Sequence, residues 1–241
     1  MKIVEATWEK RNLGIKVLEV EIESNDEIST VIEEIDELTA DYMVVKVPTK
    51  LANLISPIQS AGFEFIEVLT HSIFDSELPT LDNLEERFLS NLHSSPISDS
   101  NRTLLESAVL SGMFNTDRIS LDSKFDQFMS ANRYLGMIND ESSKGAVVYE
   151  ITYKGDFIGF YVLRLINEIT CLSSVGGVLP KYQNKGIGVL MNYLQIMNSY
   201  KLGAIQVLST FSSNNVAATV IHWKYAYRLA KQEYVFIKHS N

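Results

Sequence analysis

One stretch, PKYQNKGIGVLMNYL at residues 180–194, constrains the fold more tightly than any other part of the chain. Gly186 and Gly188 sit one residue apart in a basic, amide-rich turn, and a helical pattern begins at once. Leu190, Met191, Leu194 and Met197 follow Ile187 at helical spacing, while Asn192, Gln195 and Ser199 fall on the other side. The pattern predicts an amphipathic helix packed on a sheet. The first turn of such a helix carries amides with no intrahelical partner, and its dipole adds partial positive charge there. Glycines remove side chains at that point, so a ligand can reach the backbone. Together these features make an anion site suited to a pyrophosphate. The spacing is neither the six-residue dinucleotide fingerprint nor a phosphate loop ending in Lys-Ser/Thr, and a ligand-free strand-to-helix turn is the competing reading.

The rest of the chain divides into two patterned units. In the first, LGIKVLEVEI (13–22) alternates as a half-buried strand, and SNDEISTVIEEIDEL (24–38) reads as a helix with Ile28, Val31, Ile32 and Ile35 on one face. A strand (41–47), a helix (50–62) that Pro57 should distort, and a strand (63–74) complete a small α/β unit over residues 1–80. Residues 81–101, with Pro96 and a serine cluster, read as a linker with one short helix. From 102 to 241 the pattern runs through two helices, a hairpin (145–166) turning at Lys154-Gly155-Asp156, a strand to Leu179, the glycine-led helix, a strand (204–211), a helix (215–225) and a closing strand. The expected class is α/β (α+β), a central sheet flanked by helices with a smaller N-terminal α/β domain.

Composition narrows the function. Net charge is -9, which argues against nucleic-acid binding driven by overall charge. The single cysteine, Cys171, allows no intramolecular disulfide and reads as a small buried strand residue. No apolar run approaches the roughly 20 residues that span a bilayer, and the first residues lack a signal-peptide pattern, so a cytoplasmic protein without membrane contact is expected. The four histidines have no metal-ligand spacing, so no metal is expected.

The residues around the glycines carry a resemblance. Val178-Leu179-Pro180 followed by Gln183-Asn184-Lys185-Gly186-Ile187-Gly188 resembles the acetyl-CoA motif of the GCN5-related N-acetyltransferase (GNAT) superfamily, Gln/Arg-x-x-Gly-x-Gly/Ala after a strand. Downstream, Asn215, Ala218 and His222 occupy positions where that superfamily has Asn, a small residue and commonly Tyr. The C-terminal run from Asn215 and the segments 117–140, 8–22 and 54–74 look like sugar-nucleotide N-acetyltransferases of the dTDP-fucosamine acetyltransferase group. The resemblance implies acetyl transfer from acetyl-CoA to a primary amine, the acceptor being a small molecule such as a nucleotide-linked amino sugar. It implies that the backbone of 183–188 cradles the CoA pyrophosphate, with Val178 and Leu179 at the strand end beside the pantetheine arm. It admits a homodimer.

His222 departs from the superfamily's tyrosine. Seven residues is close to two helical turns, so Asn215 and His222 should share a face, about 10 Å apart along the axis. Asn215 could hold the pantetheine or the amine, and a His222 imidazolium could protonate the departing thiolate. A helix-surface or core role for His222 is the alternative. Tyr225 lies about 60° off that face, and Tyr227 occupies a position that normally packs. No general base stands out. A non-catalytic acyl-CoA-binding module and a GNAT acting on another amine or peptide are the competing functions.

Overall fold

Alternating apolar residues make strands that are buried on both faces only when helices cover both sides, and this chain supplies helices for two faces. The computed structural model describes residues 1–240, except that the side chains of Ile28 and Ser29 lie outside the described ones. The first unit runs β1 (Lys2–Glu5), α1 (Thr7–Leu13), β2 (Val17–Glu21), α2 (Ile28–Asp36), β3 (Tyr42–Pro48), a tight turn of helix leading into α3 (Ile55–Ser60), and β4 (Glu64–Phe74). Next come α4 (Asn83–Leu89), β5 (Leu92–Pro96), α5 (Asp99–Leu110), α6 (Arg118–Leu121), α7 (Gln127–Ser143), β6 (Val147–Tyr153), β7 (Asp156–Leu165) and β8 (Thr170–Val178). The chain closes with α8 (Ile187–Lys201), β9 (Gln206–Ser212), α9 (Val216–Lys224) and β10 (Arg228–His239). Pro57 falls in the first turn of α3, where its missing N–H removes no helical bond. The distortion expected there sits instead at Leu51, whose φ of -100° and ψ of 43° break the preceding turn from the helix.

All ten strands join one sheet, in the order β1-β2-β3-β10-β4-β9-β8-β7-β6-β5. Only β2–β3 and β8–β9 are parallel; the other pairs are antiparallel. From β1 to β7 the pairing is a palindrome about the central β10–β4 pair. Each unit holds a parallel βαβ crossover, and each has given its last strand to the other. The last strand of the chain lies between β3 and β4, and β4 lies between β10 and β9. The sheet therefore crosses the boundary between the two sequence units without a break. The stretch 81–101, expected to be a linker, carries α4 and the edge strand β5. Asp82 caps α4 through the Leu84 and Glu85 amides, and β5 pairs with β6 and ends at Pro96, a residue an edge strand tolerates. The strand expected over 13–22 begins only at Val17, and α1 ends at Leu13.

One face of the sheet is covered by α2, α3, α8 and α9. Leu18, Val20, Val45 and Phe236 pack there on Val31 and Ile35, and Cys171 packs on Leu190 and Leu194. The other face carries α1, α5, α6 and α7, with Val44, Val235 and Ile237 on Ile119 and with Val162 on Leu105 and Ile138. On that second face a buried ion network joins the two units. Arg118 of α6 lies 2.6 Å from Glu9 of α1 and 2.8 Å from Glu19 of β2. Arg133 of α7 lies 2.8 Å from Glu9 and 2.7 Å from Asp117. Glu9 is fully buried, so its charge is tolerable only because both guanidiniums answer it. Among the described residues no helix is long and apolar enough to cross a membrane.

Candidate functional site

Two parallel strands joined by a helix form the heart of the site. β8 and β9 pair from Thr170↔Gln206 to Ser173↔Ser209 and then part. Beyond that point β8 continues against β7 alone, and β9 against β4 alone. A register shift between Tyr161 and Leu163 marks a bulge in the β7–β8 ladder at the same level. A bulge bends its strand, and here the bend opens a gap in an otherwise continuous sheet. The gap faces the carboxyl ends of both strands, where open α/β sheets hold their ligands.

The chain leaves β8 through the glycine turn. Asn184 has φ of 61° and Gly186 φ of 75°, both left-handed, and Gly186 is the residue before the first turn of α8. No side chain caps α8. Gln183, Asn184, Lys185 and Gly186 are exposed, so the uncapped amides open to the surface beside two lysines, Lys181 and Lys185. The two glycines serve different ends. A Cβ on Gly186 would touch nothing within 4 Å, so its requirement is the backbone conformation. A Cβ on Gly188 would come within 3.3 Å of Ile221 Cδ1, so Gly188 lets α9 approach α8. Gly186 lies in the exposed turn with open space around it, while Gly188 is half-buried against α9. The Ile187 side chain is buried in the core on the sheet, as its place on the apolar face of the helix predicts, and only its backbone is left to the turn.

Val178, Leu179 and Gln183 are tied into the frame. The Gln183 amide donates to the Val178 carbonyl at 3.0 Å, and the Leu179 N–H donates to the Ile158 carbonyl at 2.8 Å. Gln183 thus latches the turn onto the end of β8. The Val178 side chain is buried in the core.

Helix α8 is not amphipathic in the expected sense. Asn192, Gln195 and Ser199, read as its outer side, are buried. Gln195 lies against Gly176 and Ser199 beside Cys171, both on β8. The Tyr227 hydroxyl donates to Asn192 Oδ1 at 3.2 Å, Asn192 donates to Gln195 at 3.0 Å, and Ser199 donates back to the Gln195 carbonyl at 2.7 Å. The Tyr225 hydroxyl donates to the Val189 carbonyl at 3.0 Å, which clamps the end of α9 onto the start of α8. Both tyrosines are packing residues, and burial pushes both hydroxyls well above their ordinary pKa.

Asn215 and His222 lie at the start and the sheet-facing side of α9. Asn215 Oδ1 accepts from the Ala218 amide at 3.0 Å and caps the helix, which leaves its NH2 group as the free donor. His222 is 7% exposed, with its ring 4.4 Å from the Phe211 ring and 4.2 Å from that of Tyr227. Nδ1 lies 2.7 Å from the Ala218 carbonyl, an acceptor, so Nδ1 carries the proton. Nε2 is buried without a partner. Burial pushes the ring's pKa down, against a smaller opposing effect of the Ala218 hydrogen bond. The environment therefore opposes the imidazolium acid expected from the sequence: the ring is neutral at pH 7, and Nε2 is an acceptor. His222 lines a cavity of about 300 Å³ with Thr70, Ser72, Ser213 and Gln232, over β4 and β10 and to the side of the gap.

Cys171 is fully buried, and burial raises its thiol pKa, as suits a core residue. Among the described residues no group of three or more His, Cys, Asp or Glu side chains is placed to hold a metal. The sequence assigns no role to the side chains on the α1–α7 face of the gap, where Thr210, His71 and Glu233 stand in a hydrogen-bonded row across three strands.

The overall fold has counterparts among solved structures. A GCN5-related N-acetyltransferase from Sphaerobacter thermophilus matches with a TM-score of 0.58 and 10% identity over 82% of this chain, which spans 59% of that protein's length. A conserved protein of unknown function from Staphylococcus epidermidis matches with a TM-score of 0.61 and 15% identity, over 94% of this chain and 84% of that one. A GCN5-related N-acetyltransferase from Kribbella flavida matches with a TM-score of 0.55 and 9% identity, over 94% and 82%. The fold is the one that GCN5-related N-acetyltransferases use. No protein-family model matches the sequence, and no curated protein matches it.

Proposed function

We propose that the protein is an N-acetyltransferase that moves an acetyl group from acetyl-CoA to a primary amine. The observation that carries this reading is the gap between β8 and β9, opening directly beside the uncapped, glycine-led start of α8. A dinucleotide-like donor needs two things from a protein: donors for linked phosphates, and an extended slot for an arm rich in amides. The amides of the first turn of α8, with Lys181 and Lys185 near them, suit the phosphates. The strand edges left unpaired beyond Ser173 and Ser209 suit the arm, because each carries backbone groups in search of partners. Asn215, through its free NH2, is the side chain placed to steady the arm or the amine. Bound there, acetyl-CoA supplies an activated acyl group to an amine nucleophile. Transfer is direct, within a ternary complex.

The finer reading, an amino sugar carried on a nucleotide diphosphate, rests on the sequence resemblance of segments 117–140 and 215–238. The test incubates the protein with acetyl-CoA and a panel of amino-sugar nucleotides, simple amines and peptides, following free thiol. Release with a sugar nucleotide supports the finer reading, and release only with other amines replaces it. A non-catalytic acyl-CoA-binding module is the second reading, favoured by the buried His222 where the superfamily commonly has tyrosine. It requires tight acetyl-CoA binding with no turnover on any member of the panel.

A further inference from the structure

The donor reaches the gap from the side of α8, so an acceptor must come from the other face of the sheet. That face holds a cavity of about 620 Å³ against the point where β8 and β9 part. Ser173 and Ser174 of β8 and Thr210 of β9 line it on the sheet side, with Trp8 and Arg11 of α1 and Asp140 of α7 opposite. The Ser174 hydroxyl is buried with no hydrogen-bond partner. Arg11 and Asp140 pair across the cavity, so the N-terminal unit supplies part of its wall.

Thr210 is the first residue of β9 beyond the last pair with β8, and its side chain is exposed. Its Oγ1 lies 3.0 Å from Nδ1 of His71, its cross-strand partner on β4. His71 Nε2 lies 2.9 Å from Glu233 Oε2 on β10. Glu233 is 2% exposed, and its other oxygen meets Lys231 at 2.8 Å. Burial pushes the Glu233 carboxyl up, but the hydrogen bonds from His71 and Lys231 outweigh it and hold the group below the ordinary carboxylate range. An ionised carboxylate can only accept, so Nε2 carries the imidazole proton and Nδ1 presents a lone pair to the Thr210 hydroxyl. Carboxylate, imidazole and hydroxyl stand in the order that makes a hydroxyl a proton relay, and only the hydroxyl end opens into the cavity.

We propose that the cavity under α1 is the acceptor site and that Thr210, His71 and Glu233 take up the acceptor's proton. This inference rests on the acetyl-transfer reading. The amine nitrogen bonds to the thioester carbonyl carbon, the C–S bond breaks, and CoA leaves as thiolate. The surplus N–H proton passes to Thr210 Oγ1 as the hydroxyl's own proton passes to His71 Nδ1. The imidazolium is held by Glu233 until its proton returns along the same path to the thiolate or to solvent, leaving the amide and a free thiol. Thr210 touches the amine; His71 and Glu233 act through it.

The test uses the whole chain and the variants His71→Gln, Thr210→Val and Thr210→Ser. Calorimetry with acetyl-CoA comes first, and each variant should bind within about twofold of wild type, since the donor site lies on the other face. Thiol release is then measured with excess glucosamine, ethanolamine and lysine amide, and with water as acceptor where no amine is taken. His71→Gln and Thr210→Val should lower kcat by about 100-fold or more with little change in the KM for acetyl-CoA, and Thr210→Ser should restore most of it. Nitrogen-15 NMR of wild type should show His71 protonated at Nε2 and bare at Nδ1. Full turnover by folded His71→Gln, or a proton on Nδ1, overturns the relay while leaving the transferase reading intact. Wild type that binds no acetyl-CoA overturns the transferase reading itself.

Discussion

The two βαβ crossovers of this protein, β2-α2-β3 and β8-α8-β9, occupy matching places on either side of the β10–β4 pair. Both are parallel strands joined by a helix on the same face of the sheet. They differ where it matters for a ligand. β2 and β3 stay paired from Val17↔Tyr42 to Glu21↔Lys46, and the Ile22 amide adds a further bond to the Lys46 carbonyl at 2.9 Å. No gap opens there. Leading into α2 come Glu23, Asp26 and Glu27, which would repel an anion from the helix start. In the second crossover the strands part after four pairs, and the helix starts from an exposed turn carrying Lys185 and Gly186. The same topology yields a closed wall in one half and an open slot in the other. The fold supplies the place, and a bulge, a left-handed residue and the local charge decide whether it holds anything.

Three experiments would break or sharpen that contrast. The largest effect is expected at the joint between the halves. Arg118→Ala strips Glu19 and Glu9 of a buried partner and should destabilise the protein by about 3–5 kcal/mol, read from the denaturant midpoint. If the loss is under about 1 kcal/mol, the network does not join the halves. Next comes the helix start. Gly186→Val puts a branched side chain at positive φ in the open turn and should weaken acetyl-CoA binding at least about 100-fold, about 2.7 kcal/mol. The matched change in the closed crossover, Glu27→Val before α2, should leave Kd within about twofold. Calorimetry on the two folded variants checks both, and equal losses would erase the distinction between the crossovers.

The smallest effect is a pH dependence at His222, in the second half of the chain. The pKa of His222 is lowered in the folded state from its ordinary 6.5. Above about pH 6.5 the ring is neutral in folded and unfolded chains alike, and the stability it contributes is fully present. As pH falls below that value the unfolded chain takes up a proton that the folded ring refuses, so stability falls. Thermal melts of wild type and His222→Gln between pH 8 and pH 5 should show the variant losing part of that acid sensitivity. Parallel curves would mean that His222 is not buried as a neutral ring.

Most elements were legible in the sequence because their signals are local. The strand at 63–74 and the hairpin through Lys154-Gly155 each announce themselves within a dozen residues. The turn at Gly186 and the helix after it did so as well, although the left-handed backbone there was seen only in the structure. α4 and β5 were not legible, because an edge strand of serines ending in proline looks like a loop until β6 lies beside it. The burial of Asn192, Gln195 and Ser199 was hidden for a related reason. Helical periodicity reports one apolar face, and it does not say that β8 and Tyr227 will bury the polar residues beside it.

By itself, then, the sequence determined most of the helices and strands and the glycine turn that opens α8, because short-range sterics depend only on near neighbours. Tertiary structure alone decided that the two halves would exchange strands, that one parallel pair would part and the other stay closed, and that His71, Thr210 and Glu233 would line up. Those three residues are separated by as many as 162 positions in the chain and owe their contact to strand register. Register is set by the packing of whole faces, which no window of sequence contains.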